Sequence, residues 1–223
     1  MISEKIDFLD SLFKQYGLTE ISSPSKEQMR KRIEKRIPKK FLNADLSKTL
    51  KKIQEYSINY NRTNNKGIYL YGSVGTGKTY SVCALAIDLL IQGYEVNVYN
   101  LPRLLNIIRS SFSKQEVTNE KTGDSSYAFI HNMSDIEKLA DIEILIIDDI
   151  GAEKASDWVA ETLYHLINTR YENMKTTIFT SNLDLNDLSD KISERIVSRI
   201  AEMSEIYKIE GKDKRLEDRF LSK

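Results

Sequence analysis

Gly-Ser-Val-Gly-Thr-Gly-Lys-Thr occupies positions 72–79, between the apolar run Ile68-Tyr69-Leu70-Tyr71 and the stretch from Tyr80 to Ile87. Glycines at this spacing let successive backbone N–H groups turn inward around phosphate oxygens, and the N-terminus of the following helix adds partial positive charge. In such a loop Lys78 reaches the β- and γ-phosphates and the Thr79 hydroxyl ligates Mg²⁺. The expected nucleotide-binding set is Gly72, Ser73, Val74, Gly75, Thr76, Gly77, Lys78 and Thr79, with Tyr80 next on the helix, and the expected cofactors are ATP and Mg²⁺. A second run, Ile144-Leu-Ile-Ile, ends in Asp148 and Asp149. Asp148 is expected to hold the metal opposite Thr79, and Asp149 to orient or deprotonate an attacking water. A carboxylate pair at a strand end can instead cap the next helix. Asn182 ends the run Thr176 to Ser181, where its amide either holds the γ-phosphate and the water or serves as an ordinary turn residue.

Five apolar runs must position these groups: 68–71, 95–99, 144–148, 176–180 and 205–209, each separated by helical periodicity. Strands alternating with helices require helices on both faces of a mostly parallel sheet, so the expected fold is a three-layer α/β core with five strands. The spacing of Leu46, Leu50, Ile53 and Ile58 predicts a helix over 45–60, and 155–173 forms another. Asn100 and Pro102 open a helix. Polar residues 113–127, with Gly123, read as a loop, and Ser134-Asp-Ile-Glu137 as a capping box.

Length and composition narrow the class. With 223 residues, 40% hydrophobic and 30% charged, the chain suits one ordinary domain with a short appendage, and no apolar run approaches the roughly 20 residues of a membrane helix. The start Met1-Ile-Ser-Glu-Lys5 is not a signal peptide, so a cytoplasmic protein is expected. Cys83 is the one cysteine, which excludes an internal disulfide and a cysteine-rich zinc site, and burial is its expected role. His131 and His165 have no metal-ligand company and read as core or surface residues. Zero net charge conceals residues 24–52, where eleven Lys and Arg face Glu27, Glu34 and Asp45. That segment either meets phosphate or an acidic partner, or is a solvated helix face. Upstream, Ile6, Leu9, Phe13 and Tyr16 form an apolar stripe before Gly17, and Pro24 opens a basic helix ending before Pro38. The expected division is a helical partner-binding arm and linker over 1–40 and an ATPase domain over 41–223. The stripe needs a surface, whether the body or another protein.

Together with the phosphate loop, the runs Ile-Ile-Asp-Asp-Ile-Gly-Ala-Glu, Asn-Thr-Arg-Tyr-Glu-Asn, Thr-Ile-Phe-Thr-Ser-Asn and Glu-Arg-Ile-Val-Ser-Arg-Ile resemble AAA+ ATPases of the DnaC/DnaI helicase-loader and IstB group. The resemblance covers residues 37–215, and Arg-Ile-Pro-Lys-Lys-Phe-Leu-Asn-Ala resembles the family's lead-in segment. It implies sensor 1 at Asn182, an arginine finger at Arg199 with Arg195 as competitor, and a terminal sensor arginine at Arg215. It also implies slow ATP hydrolysis, self-association in the ATP state, single-stranded DNA binding and delivery of a replicative DNA helicase captured by the N-terminal arm. Asp149 stands where most AAA+ proteins carry glutamate, and the shorter arm suggests switch-like turnover. The residues after Arg215 are too few for the usual lid or a helix-turn-helix domain, and a zinc arm is not expected. For DNA, Arg103, Arg109, Lys114 and Lys121 interspersed with Phe112 offer phosphate contacts and a stacking ring, or else a core helix and solvated loop. An IstB-like transposition ATPase, a small-molecule phosphotransferase and an ATP-holding module are the competing readings.

Overall fold

The computed structural model describes residues 23–60, 65–110, 112–118, 125–131, 133–152 and 155–213, with Ser11 and Lys14 besides. Among the described residues seven strands run in chain order as β1 (Gly67–Tyr71), β2 (Val96–Asn100), β3 (Phe112–Thr118), β4 (Ser125–His131), β5 (Ile144–Asp148), β6 (Thr176–Ser181) and β7 (Ser204–Lys208). The helices are α1 (Ser23–Arg36), α2 (Lys51–Ile58), α3 (Lys78–Ile91), α4 (Leu101–Ser110), α5 (Met133–Asp141), α6 (Asp157–Glu172), α7 (Leu185–Lys191) and α8 (Glu194–Met203). Five strands pair in parallel in the order β2-β5-β6-β1-β7.

Period-two alternation sorts the strand side chains onto two faces. Ile68, Leu70, Val96, Val98, Ile144, Ile146 and Ile178 form one core with α1, α2 and α3. Tyr69, Leu145, Ile147 and Phe179 form the other with α4, α5, α6 and α8. Burying each Leu or Ile is worth about 1.5–3 kcal/mol relative to leaving it in water, so α3, buried on nearly every side, anchors its end of the sheet firmly. The three-layer α/β expectation therefore holds. Among the described residues no helix follows β7.

Arg170 is 0% exposed. Its guanidinium donates to the carbonyls of Leu139 (3.1 Å), Ala140 (2.9 Å), Ile142 (2.7 Å) and Thr176 (2.6 Å) and to the Thr177 hydroxyl (2.9 Å). The carbonyls at the end of α5 would otherwise lack partners, and their partial negative charge suits a cation. Burial lowers the Arg170 pKa to about 9, which leaves it charged at neutral pH.

Four local expectations differ from the structure. α1 is not part of a detachable arm: Ile33 and Ile37, one turn apart, are 0% and 3% exposed within the body's core. Arg32 donates to the Tyr94 carbonyl (2.9 Å) and Arg36 to Glu95 (3.1 Å), so part of the basic surface faces inward. Packing against the body is thus already in place at Ile33, short of the division expected at 40; the apolar stripe of Ile6, Leu9, Phe13 and Tyr16 lies outside the described residues. Residues 113–127 are not simply a loop: β3 and β4 pair antiparallel from Phe112↔His131 to Thr118↔Ser125. β3 is almost wholly polar and neither strand alternates, so no period-two signal marked the pair. The helix expected over 45–60 begins at Lys51, after a 3₁₀ turn over Leu46–Lys48 capped by Asp45.

Asp88, 5% exposed, links α3 to α2 by accepting hydrogen bonds from Ser57 Oγ and Gln92 Nε2. Burial raises its pKa from 3.8 to about 6, with the Gln92 bond opposing. The folded state therefore holds this proton more tightly than the unfolded chain, and the group's contribution to stability falls as pH rises from 3.8 to about 6. Asp88→Asn is expected to remove this slope: its stability relative to the parent should be greater at pH 7.5 than at pH 4 in paired denaturation curves. An unchanged difference between the two pH values would contradict the assignment.

Candidate functional site

The chain leaves β1 toward α3 on one face and leaves β6 toward α7 and α8 on the other, so their carboxyl ends open a crevice. Ligands of open parallel sheets bind at such a divergence. The phosphate loop and Asn182 meet there.

Gly77 caps α3 with φ 101°, a left-handed conformation that glycine adopts without strain, and no side chain caps this helix. By contrast α6, α7 and α8 are capped by Ser156, Asp184 and Ser193. The first amides of α3 are thus kept for an anion, as phosphate binding demands. Thr76 Oγ1 donates to Ser73 O (2.8 Å) and closes the loop's turn. Val74 is 56% exposed at its tip.

Lys78 is 7% exposed, and its ammonium donates to Gly72 O (2.8 Å), Ser73 O (2.8 Å) and Asn182 Oδ1 (2.7 Å). Three oxygens converging on a buried cation mark where phosphate oxygens would compete. Thr79 Oγ1 donates to Asp148 (3.0 and 3.1 Å), and Thr180 Oγ1 donates to the same carboxylate at 2.6 Å. Burial pushes the Asp148 carboxyl above its usual range, while the Thr180 and Thr79 hydroxyls oppose the shift. A hydroxyl from the first turn of α3 and a carboxylate at the end of β5 form an oxygen donor set suited to Mg²⁺, and the loop amides with Lys78 suit a polyphosphate.

Asp149 follows at φ 61°, the left-handed region that a non-glycine residue seldom occupies. Its N–H donates to Thr180 Oγ1 (2.9 Å), and its carboxylate accepts from Asn182 Nδ2 (3.3 Å). Hence Lys78, Thr79, Asp148, Asp149 and Asn182, which the sequence marked separately, come together. Asn182 is more than a turn residue, since its amide touches both the lysine and the second aspartate. Thr180 was not foreseen. Its signal lay in register: Ile147 pairs with Phe179, which puts Thr180 beside Asp148.

A family model described as IstB-like ATP binding protein matches residues 32–222. The chain belongs to that family. It is 23% identical over 177 residues to the replicative helicase loader DnaI of Bacillus subtilis (strain 168), covering 73% of this chain and 52% of that one. It is 26% identical over 148 residues to the replicative helicase loader DnaC of Buchnera aphidicola subsp. Baizongia pistaciae (strain Bp), covering 66% and 54%. A crystal structure of the DnaC helicase loader superimposes with a TM-score of 0.64 at 25% identity, over 78% of this chain and all (100%) of that one. The chain spans about half the length of the two relatives. As a member of the IstB-like family it is a nucleotide-binding protein with the AAA+ fold.

The remaining residues stand elsewhere. Tyr80 accepts at its hydroxyl from Asp45 N (2.9 Å), tying α3 to the lead-in segment. Arg199 lies against α6: Nε donates to Asn168 (3.2 Å), the guanidinium lies 4.5 Å from the Tyr171 ring centre, and Glu202 is 3.8 Å away. Arg195, on the same helix, is exposed. Arg215 and Lys121 lie outside the described residues. Of the other candidate DNA residues, Arg103 stacks over Tyr99 and Arg109 over Trp158 at 4.7 Å, so the aromatic partner of Arg109 is Trp158, which spacing did not suggest. Cys83 is buried, and burial pushes its thiol pKa up.

Lys78→Ala is expected to weaken nucleotide binding by about 10- to 150-fold, the loss of one charge-assisted contact worth roughly 1.5–3 kcal/mol. Titration with a fluorescent nucleotide checks this, and parental affinity would contradict it.

Proposed function

We propose that this protein is a nucleotide-switched helicase loader that binds ATP with Mg²⁺, hydrolyses it slowly, grips single-stranded DNA and delivers a replicative DNA helicase. The observation that carries the hydrolytic reading is Asn182, which accepts from Lys78 and donates to Asp149, joining the phosphate-binding cation to the candidate base. Lys78 neutralises phosphate charge. Asn182 aligns the attacking water, and Asp149, exposed at the strand end, takes its proton. When bound between Thr79 and Asp148, Mg²⁺ supplies charge neutralisation at the β- and γ-phosphates. The short carboxylate arm of Asp149 favours slow turnover.

The loading reading is supported by likeness over the ATPase portion to proteins named replicative helicase loaders. In this reading α8 presents Arg195 or Arg199 to a neighbouring subunit's nucleotide, Arg215 completes the sensor set, and residues before 23 capture the helicase in the cytoplasm. Arg199 is already positioned by Asn168 and Tyr171, whereas Arg195 is exposed. The family also includes the IstB-like type, so duplex-DNA action in transposition is the second reading.

Asp149→Asn is expected to bind ATP within a few-fold of the parent while losing at least about tenfold in turnover, measured with and without single-stranded DNA beside a replicative-helicase pull-down. Parental turnover removes Asp149 from the base role. Helicase capture with preference for single strands supports loading, whereas preference for duplex without capture supports the transposition type.

A further inference from the structure

Past β7, which runs parallel to β1, the chain continues alongside the start of the phosphate loop. Ile209 N donates to Tyr71 O at 2.8 Å, where β1 ends and the loop begins. The Ile209 carbonyl oxygen lies 2.1 Å from the position a Cβ on Gly72 would take. Four residues later the Asp213 carboxylate covers Gly75: a Cβ there would lie 1.9 Å from Oδ1, 2.0 Å from Cγ and 2.6 Å from Oδ2. Gly75 also has φ 79°, which disfavours any other residue there, and a side chain at this position would have to push the carboxylate aside.

A loop whose amides and buried lysine are arranged for anions thus carries an anion from its own chain. We infer that residues 209–213 form a strap that guards the nucleotide site: Asp213 opposes the incoming polyphosphate, and nucleotide entry displaces the strap. This rests on nucleotide binding at the phosphate loop, and it adds a reporter of occupancy outside the loop itself. The opposition is charge against charge near the protein surface, so salt weakens it.

The test is titration of the full chain with fluorescent ADP in EDTA, so that metal ligation by the carboxylate does not enter. Asp213→Asn keeps the side chain's shape and removes its charge. It is expected to bind ADP at least about fivefold tighter than the parent in low salt, with the gain shrinking in high salt. A fluorophore on Lys212→Cys, selective because Cys83 is buried, is expected to change emission with the same midpoint as ADP binding. Equal or weaker binding by Asp213→Asn, or a silent probe in a protein that binds ADP, overturns the strap alone. Absence of ADP binding by the parent and the variant overturns the nucleotide reading, and the strap with it.

Discussion

Asp148 is a buried carboxylate, and everything at the sheet's carboxyl edge depends on how it is kept there. A carboxylate taken from water needs donors to replace its hydration. Here they are the hydroxyls of Thr79 and Thr180, from the first turn of α3 and the end of β6. Because one acceptor is shared by elements on both sides, the phosphate loop, β5 and β6 cannot shift independently without leaving an oxygen unsatisfied. Thr180 extends the linkage by accepting from Asp149 N, and Asn182 closes it by bridging Asp149 and Lys78. The result is a ring of contacts around the crevice in which a change at the phosphates is felt at the candidate base.

The same coupling reaches outward through the strands and the hydrogen bonds at their far ends. β6 begins at Thr176, whose carbonyl accepts from Arg170, and Arg170 in turn holds the end of α5. α6 carries both Arg170 and the residues that hold Arg199, so the arginine with a proposed role between subunits is mounted on the helix that braces the sheet. On the opposite face Asp88 and Ser57 fasten α2 to α3. The helix that presents the phosphate amides is therefore fixed from below, which suits a site meant to respond to ligand rather than to reshape around it.

Local chemistry was legible in the sequence. Gly72 to Thr79 declares itself because its function depends on neighbouring amides, and the five core strands follow from apolar runs. Pairings between distant strands were not legible: Thr180 acquires its role only once β6 lies beside β5, and nothing in the spacing ranks it above Thr176 or Thr177. The docking of α1 was hidden for a related reason, since Ile33 and Ile37 sit among arginines and lysines whose charge dominates composition while two apolar residues decide the packing. The β3–β4 pair was missed because its strands carry no period-two pattern and β3 is almost wholly polar. Asp213 against Gly75 lay beyond any pattern, being a contact across some 140 positions (213 less 75 is 138).

If the shared carboxylate is what couples phosphate loop to base, then removing one donor while preserving shape should uncouple them. Thr180→Val deletes the hydroxyl and keeps the volume. ATP turnover at saturating nucleotide, measured beside nucleotide affinity and a melting curve, is the most direct test. The expected result is a folded protein that binds nucleotide within a few-fold of the parent and turns it over at least about tenfold more slowly, as the loss of the hydrogen bond to the Asp148 carboxylate, roughly 1.5–3 kcal/mol, together with the acceptor of Asp149 N–H, implies. Parental turnover in a folded Thr180→Val protein would contradict the account.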